Sequence, residues 1–534
     1  GIAGRELHWF DGNTQSWISQ TDTGEWAGWH DRDASSAHAD ASWQPWSHPL
    51  DDSLAPYYRW FVDGQTNACF NLIDRHVLSG RGDQIAIVFE GDRWDPSKND
   101  GRGGPVHEQR VTYRELLVEV ALRTRVLKQA DLSCGDRVAL NLPNVLEQIF
   151  YILACQRLGV IYTPVFGGFS AKTLSDRIHD AGAKVVITAD GGYRNAEAVP
   201  YKSTYTDPAL DNYIPRPAAL EALSATLRTR LSADVAERLE AQVSEAIAGE
   251  ITLERADVMR ELGLALERER GTAPEVIAEL RTTVASELAN VGHAVTHVIV
   301  IRYTGNDIVE HARDFWSPDL VAQVETDLLA DAGVADRAAL YALDDTALWQ
   351  AVGPHAAAVP VEANWPLFII YTSGSTGKPK GVVHTHGGWL SGITHTLRTV
   401  FNANQDDCLY VIGDPGWITG QSYLIAAPLA FGMSTMIAEG SPLFPHAGRF
   451  ASIIERNNVT IFKAGSTFLK AVMTDPASTQ EMSRYDMSSL KVGTFCAEPV
   501  SPTVQQFAMD NICSHYINSY WATEHGGIVF SCPW

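Results

Sequence analysis

The sequence lacks the features of a nucleic-acid-binding, membrane-spanning or disulfide-bonded protein. Its 534 residues carry 41 Lys plus Arg against 64 Asp plus Glu, a formal net charge of −23, and no basic block that could follow a phosphate backbone. The seven cysteines show no CxxC or Cys/His ligand spacing, which favours reduced thiols over disulfides or a structural metal. No signal-peptide pattern opens the chain, and the apolar runs fall far short of the ~20 residues of a membrane span. We therefore expect a cytoplasmic protein without nucleic-acid or membrane partners.

A large α/β core is the main feature that the composition and periodicity predict. The chain is 45% hydrophobic, and short β-rich runs alternate with helical ones from 84 to 200 and again from 293 onward. This alternation is typical of parallel strands joined by crossover helices. We divide the chain into a wrapped N-terminal segment (1–55), a first core part (56–207), a helical insertion (208–292) and a second core part (293–534).

The proposed insertion differs from the core in composition. It is rich in Ala, Leu, Glu and Arg, and apolar residues recur at helical spacing, as at Leu220, Leu223 and Leu227. Thr272, followed three residues later by Glu275 and with Pro274 between them, predicts a capping box that opens the last helix.

A loop rich in glycine, hydroxyl groups and lysine, YTSGSTGKPKG, follows a buried-type strand. Its glycines are Gly374, Gly377 and Gly381, its hydroxyls Thr372, Ser373, Ser375 and Thr376, and its lysines Lys378 and Lys380. Glycines let the backbone approach a ligand and lysines neutralise negative charge, so the loop suits a polyphosphate. A mobile loop with solvated lysines is the alternative. It is not a Walker A loop, because only two residues separate Gly374 from Gly377 and Pro379 stands where Ser or Thr must bind magnesium.

The same loop resembles the signature of the adenylate-forming superfamily, and further motifs resemble its acetyl-CoA synthetase group. These are RWFVDGQTNACFNLIDRH (59–76), VTYREL (111–116), VFGGFSAKTLSDRIHDAGAKVVITADGGYR (165–194), DPGWITGQSY (414–423), AEPVSP (497–502) and YWATEHGG (520–527). The resemblance implies the large N-terminal domain of these enzymes, with layered α/β sheets and a small β-barrel, here interrupted by the insertion.

The resemblance also implies a reaction and a nucleotide site. A carboxylic acid would attack ATP to give an acyl adenylate and pyrophosphate, and coenzyme A would then displace AMP. The implied ATP and AMP contacts are Thr372, Ser373, Gly374, Ser375, Thr376, Gly377, Lys378, Lys380, Glu498, Pro499, Tyr520, Trp521, Thr523 and Glu524. Among them, Thr372, Lys380 and Glu524 are the expected catalytic residues, and Thr372 with Glu524 would organise Mg²⁺, an ion that prefers oxygen ligands.

Two further sites follow from the resemblance. Ile418, Thr419, Cys496 and Trp521 match the wall of the acyl pocket, and the bulk of Trp521 implies an acid of about two to four carbons, unless the indole merely packs the core. Gly167, Gly168 and Arg194 match the coenzyme A contacts, where a guanidinium can bind phosphate bidentately.

The sequence departs from the acetate enzymes near the substrate. Pro415, Gln421, Cys496, Ala522 and His525 replace the usual residues, so propionate or 3-hydroxypropionate becomes an alternative to acetate. We expect the sequence to be a piece of a longer protein, in which a C-terminal domain supplies a lysine that assists adenylation, and we expect the piece alone to form adenylate slowly. With its insertion, the chain resembles the ligase portion of the propionyl-CoA synthase family, in which further catalytic modules are fused.

Two other functions stay open. An adenylation domain that loads a carrier protein is disfavoured by RWFVDGQTN and GGYR, which resemble the coenzyme A group. A scaffold module with a vestigial nucleotide site is disfavoured by the presence of Thr372, Lys380 and Glu524.

Overall fold

The computed structural model describes residues 7–20, 26–28, 45–269, 272–353, 356–372 and 379–532. The strands are β1 (Trp9–Asp11), β2 (Ser16–Gln20), β3 (Trp26–Gly28), β4 (His48–Asp51), β5 (Arg59–Val62), β6 (Gln65–Thr66), β7 (Ile85–Glu90), β8 (Trp94–Asp95), β9 (Gly104–Pro105), β10 (Glu108–Thr112), β11 (Arg137–Asn141), β12 (Ile161–Pro164), β13 (Val185–Ala189), β14 (Gly192–Arg194), β15 (Glu197–Val199), β16 (Tyr213–Pro215), β17 (Thr252–Glu254), β18 (His297–Ile301), β19 (Asp314–Trp316), β20 (Val361–Glu362), β21 (Pro366–Thr372), β22 (Lys380–Thr385), β23 (Cys408–Val411), β24 (Ser434–Ala438), β25 (Ile461–Gly465), β26 (Val492–Cys496), β27 (Tyr516–Tyr520) and β28 (Phe530–Ser531).

Helices connect most of these strands. They are α1 (Lys98–Gly101), α2 (Tyr113–Gln129), α3 (Leu146–Leu158), α4 (Ala171–Ala181), α5 (Asp207–Asp211), α6 (Arg216–Arg230), α7 (Ala233–Ala246), α8 (Arg255–Arg268), α9 (Pro274–Ala289), α10 (Ser317–Ala332), α11 (Arg337–Tyr341), α12 (Asp345–Val352), α13 (His386–Phe401), α14 (Ala427–Phe431), α15 (Arg449–Asn457), α16 (Ser466–Thr474), α17 (Ser478–Met482) and α18 (Pro502–Asn511). Short π-helical segments cover Phe70–Asp74, Val77–Arg81, Lys202–Thr206 and Gly420–Ala426. None of the described helices is both long and apolar enough to span a bilayer.

Two large sheets organise the molecule. One has the order β10-β7-β24-β23-β25-β26-β27-β28 and the other β19-β18-β13-β11-β12-β21-β22. Within each, the central strands are parallel, and antiparallel pairing is confined to β10–β7, β27–β28 and β21–β22. The α/β class and the layered sheets are therefore confirmed. The remaining described strands form the short sheets β1-β2-β3, β4-β5, β6-β20, β8-β9, β14-β15 and β16-β17.

The strands were predictable because most are buried on both faces. In β13, Val185 and Ile187 join the core shared by both sheets, whereas Val186 joins the core on the opposite face, under α4. Such strands read as continuous apolar runs. Helix α2 begins at Tyr113 because Thr112 caps it: Glu115 Oε2 accepts from the backbone N–H of Thr112 at 2.8 Å, which completes a capping box.

Helices α6 to α9 form a small core of their own. It contains Leu223, Leu239, Leu262 and Val284, all fully or almost fully buried, with neighbours at the same helical spacing. The capping box predicted for the last of these helices is wrong. The N-cap is Ala273, no side chain caps it, and only Pro274 at the first position agrees with the expectation. The limits 208–292, like the other domain boundaries, stay a prediction.

Candidate active site

A cavity of about 420 Å³ lies where the carboxyl edges of the two large sheets meet. Residues after β11, β12 and β13 form one wall, and these strands are neighbours in their sheet. Residues after β23 and β24, neighbours in the other sheet, form the opposite wall. Asn144 ties the walls together, because its Nδ2 donates to the Gly413 carbonyl at 3.1 Å. The carboxyl ends of parallel strands are where ligands bind in open α/β sheets, so this cavity is the candidate site.

The three residues matched to coenzyme A contacts line this cavity together. At Gly167 an added Cβ would lie 2.3 Å from the Tyr201 hydroxyl, so no larger residue fits without displacement. Arg194 ends β14 with its side chain exposed. Among the described residues no carboxylate lies within 4 Å of its guanidinium. The cation is therefore available to an anionic ligand.

Two carboxyl groups line the same cavity. Burial raises the pKa of Asp414 to about 7, although the Gly416 N–H that it accepts at 2.6 Å opposes the shift. Burial also raises the pKa of Glu439, which accepts from the Tyr303 hydroxyl and from the Tyr193 N–H, each at 2.7 Å. Both groups were missed by the sequence analysis, although Asp414 lies inside a quoted motif.

Three of the four acyl-pocket candidates belong to one buried core. Ile418, Cys496 and Trp521 are buried within it, and Thr419 is half-buried. The ring of Trp521 packs edge-on against Tyr423, with centroids 5.2 Å apart. The structure thus places the indole in a closed environment in which most of the neighbouring side chains are apolar.

The nucleotide candidates at the ends of β26 and β27 are exposed. Glu498 accepts from Lys470 Nζ at 3.0 Å, and this bond is the main reason that its pKa is lowered. Pro499 is exposed beside it, and 58% of Tyr520 is exposed. Ala497 has φ of +79°, an uncommon conformation for a residue with a side chain that is often found at functional turns. This edge can therefore receive a ligand from solvent.

The signature loop joins β21 to β22. Thr372, half-buried, pairs with the exposed Lys380 at the end of this hairpin where the loop connects the two strands. The other loop candidates, Ser373, Gly374, Ser375, Thr376, Gly377 and Lys378, lie outside the described residues.

The turn that carries Glu524 packs against the same hairpin. His384 Nε2, in β22, donates to the Thr523 carbonyl at 2.9 Å. Burial lowers the pKa of His384 to about 4, and the nearby Glu524 opposes this shift. Glu524 itself is exposed. His384 pairs with Phe368, four positions along β22 from Lys380, so this contact places the turn of Glu524 beside the body of the hairpin. The joint role of Thr372 and Glu524 in holding Mg²⁺ stays a prediction.

Comparisons with known proteins agree with this architecture. The family model described as "AMP-binding enzyme" matches residues 75–534, and "Acetyl-coenzyme A synthetase N-terminus" matches residues 35–72. The acetyl-coenzyme A synthetase of Cupriavidus metallidurans is 31% identical over 491 residues, which cover 91% of this chain and 56% of the relative. That of Methylorubrum populi is 33% identical over 495 residues, covering 91% and 58%.

A third relative gives the same picture. The acetyl-coenzyme A synthetase of Methylobacillus flagellatus is 32% identical over 498 residues, covering 92% of this chain and 58% of the relative. The chain thus spans somewhat more than half the length of these curated relatives. Since one family model covers most of its length, the chain belongs to the AMP-binding enzyme family.

Proposed function

We propose that the chain is the acid-activating part of an AMP-forming short-chain acyl-CoA synthetase. It would use ATP with Mg²⁺ to convert a small carboxylic acid into an acyl adenylate and then, with coenzyme A, into an acyl thioester. The observation that carries the proposal is the cavity between the two carboxyl edges. It brings Gly167, Gly168 and Arg194 opposite the segment that leads directly into Ile418 and Thr419.

The residues would act mainly by positioning the reactants. Tyr520 offers an exposed ring for the adenine, and the next residue, Trp521, is only 8% exposed and faces the core. Holding acid and phosphate in reacting geometry replaces an encounter in solution. Lys380 and Arg194 would offset phosphate charge, and Glu524 with Thr372 would hold Mg²⁺.

The size of the acid would be set by the buried wall. Trp521 packs edge-on against Tyr423, and we propose that the bulk of its indole limits the length of the acyl chain. Gln421, where the acetate enzymes commonly have His, is fully buried, accepts from the Tyr162 hydroxyl at 2.8 Å and donates to the Pro415 carbonyl at 2.6 Å. We propose acetate, propionate or 3-hydroxypropionate as the substrate class.

The helical insertion would serve as a contact for further modules of a longer, fused, cytoplasmic enzyme. Its core is separate from the cores of the sheets, and its outer surface carries ion pairs such as Arg230–Glu279 and Arg238–Glu269. Its contacts with α4 include two hydrogen bonds, which Asp176 Oδ1 accepts from the N–H and the hydroxyl of Thr252 at 2.9 and 2.6 Å, and an ion pair between Lys172 and Glu250 at 3.1 Å. Cross-linking of the full-length protein would test whether other modules contact this surface.

Calorimetric titration with non-hydrolysable acyl-AMP analogues of acetate, propionate, 3-hydroxypropionate and hexanoate tests the main proposal. We expect tight binding of the three short analogues and rejection of the hexanoyl analogue. The variant Trp521→Ala should admit hexanoyl, and the matched control Trp60→Ala, at an exposed indole, should not. Absence of binding by every analogue would contradict the proposal, and equal binding of long and short analogues by the wild type would contradict the size limit.

A further inference from the structure

One lysine is buried within the eight-stranded sheet. Lys463 is part of β25, and its side chain has no exposed surface. Because side chains alternate across a strand, it points to the same face as Ile461. That face belongs to the core that also contains Trp521 and Cys496. Lys463 therefore lies beside the wall that is proposed to hold the acyl group.

The contacts of this amine are a hydroxyl, the Cys496 thiol and two aromatic rings. Nζ donates to Ser519 Oγ at 2.7 Å, and Thr494 Oγ1 lies 2.9 Å from the same oxygen. Nζ also lies 5.1 Å from the ring centroid of Tyr423 and 5.5 Å from that of Trp521. Both distances are in the cation–π range. The indole that limits the acyl pocket is thus a direct neighbour of the lysine.

Lys463 has no acidic partner among the described residues, since no carboxylate there lies within 4 Å of Nζ. Another buried lysine, Lys202, shows the usual solution, with Asp207 and Asp314 each 2.8 Å away. A buried charge without a counter-charge is unfavourable. Accordingly, burial lowers the pKa of Lys463, and the Cys496 thiol only partly opposes this shift.

The amine still has hydrogen-bonding capacity. An ammonium has three donors, and a neutral amine has two donors and a lone pair. The Ser519 hydroxyl and the Cys496 thiol engage two of these, so one donor of the ammonium, or the lone pair of the amine, stays unused. The unused capacity beside Trp521 suits a polar group of a ligand.

We propose that Lys463 determines substrate specificity by hydrogen bonding to a hydroxyl group on the acyl chain of a short acid. The inference rests on the proposed function and narrows its substrate class to hydroxylated acids. The reacting carboxylate is a less suitable partner, because it must meet the nucleotide at the exposed Tyr520 side, whereas Lys463 contacts the buried Trp521. A hydroxyl on the ligand also needs no counter-charge, and the amine of Lys463 already donates a hydrogen bond to a hydroxyl, that of Ser519.

The test compares two analogues that differ only in the hydroxyl, the non-hydrolysable propionyl and 3-hydroxypropionyl adenylates. By calorimetry, the wild type should prefer the hydroxylated analogue about tenfold, the value of one good hydrogen bond. Lys463→Met keeps the length and apolar character of the stem, and it should abolish this preference while the propionyl analogue still binds. The control Lys491→Met, at a partly exposed lysine paired with Asp407, should leave the preference unchanged.

The other outcomes separate the inference from the proposed function. Equal weakening of both analogues by Lys463→Met would mean a purely structural lysine and overturn the inference. The inference would also be overturned if the wild type bound the propionyl and 3-hydroxypropionyl analogues equally. The same holds if the wild type preferred a malonyl analogue, which carries a second carboxylate in place of the hydroxyl. Failure of every analogue to bind the wild type would instead overturn the proposed function. If Lys463→Met does not fold, Lys463→Gln provides the test. The glutamine retains a hydrogen-bond donor, so this variant should keep part of the preference for the hydroxylated analogue. If it binds the propionyl analogue but no longer discriminates between the two, the proposed hydrogen bond is overturned.

Discussion

Two consecutive residues at the end of β27 divide the candidate site into two contrasting regions. Tyr520 is 58% exposed and lies on the open edge with Glu498, whereas Trp521 is 8% exposed and lies in the closed core with Cys496 and Lys463. The side chains of the open region are already in contact with solvent, so a nucleotide or coenzyme would bind there without displacing packed side chains. The closed region is preorganised, so that selectivity depends on fixed packing and fixed donors.

The largest effect that we expect concerns another buried charge, one that does have its partner and so contrasts with Lys463. Asp74 accepts from both terminal nitrogens of Arg157, at 2.6 and 2.9 Å, and both side chains are almost fully buried. Asp74→Asn would leave the guanidinium without a counter-charge, and urea unfolding should show a loss of about 3–5 kcal/mol. Lys463→Met removes an unpaired charge and should not destabilise. Similar losses for the two variants would erase the distinction between paired and unpaired buried charges.

Opening the closed region should change ligand size selectivity. Trp521→Ala removes the indole that packs on Tyr423, and we expect affinity for the hexanoyl adenylate analogue to rise about 100-fold, within the range for methylene discrimination. The measurement is calorimetric titration, with thermal unfolding to confirm the fold. Unchanged rejection of hexanoyl would show that another residue closes the pocket.

Acid should destabilise the folded chain through a buried histidine. His386 is fully buried, its Nδ1 accepts from the Ala68 N–H at 3.0 Å, and burial lowers its pKa to about 3. The unfolded histidine has a pKa of about 6.5, so the unfolded chain binds the extra proton as pH falls between these values and native stability is lost. Between pH 7 and pH 5 the loss from this group is about 2 kcal/mol. His386→Asn, which retains an acceptor, should reduce the pH dependence of urea unfolding by that amount; an identical dependence in the variant would contradict the assignment.

The smallest effect belongs to the open region. Arg194→Ala should lower coenzyme A affinity about tenfold and leave acyl-adenylate analogues unaffected, because one charge-assisted contact to phosphate is lost while the pocket wall is intact. Titration at two salt concentrations should show a weaker salt dependence in the variant. Arg228→Ala, an exposed arginine of α6, provides the control. A parallel loss of adenylate binding would mean that the two regions are not independent.

The sequence predicted the strands of the two large sheets better than it predicted the cavity between the sheets. Runs such as HVIVIRY and SLKVGTF are β18 and β26 because both faces of these strands are buried. The cavity depends on contacts between loops far apart in sequence, as between Asn144 and Gly413, and no local pattern encodes such a contact.

The errors and omissions have local physical causes. The pattern at Thr272 has the right spacing for a capping box, but the helix begins one residue later at Pro274, whose fixed φ suits the first position. Lys463 was predictable as an anomaly, since a charged residue interrupts an apolar strand, yet its partners Ser519 and Trp521 follow 56 and 58 residues later. The roles assigned to the site residues stay predictions.

The path of the chain around helices α6 to α9 has a consequence for folding and for evolution. The chain leaves the seven-stranded sheet at β13 and returns at β18, and these two strands are hydrogen-bonded neighbours in parallel register. Whatever lies between them is therefore a loop whose ends are already joined by the sheet. Because loop-closure entropy rises only slowly with length, this position can accept, lose or exchange a whole lobe while the sheet keeps the same strand order.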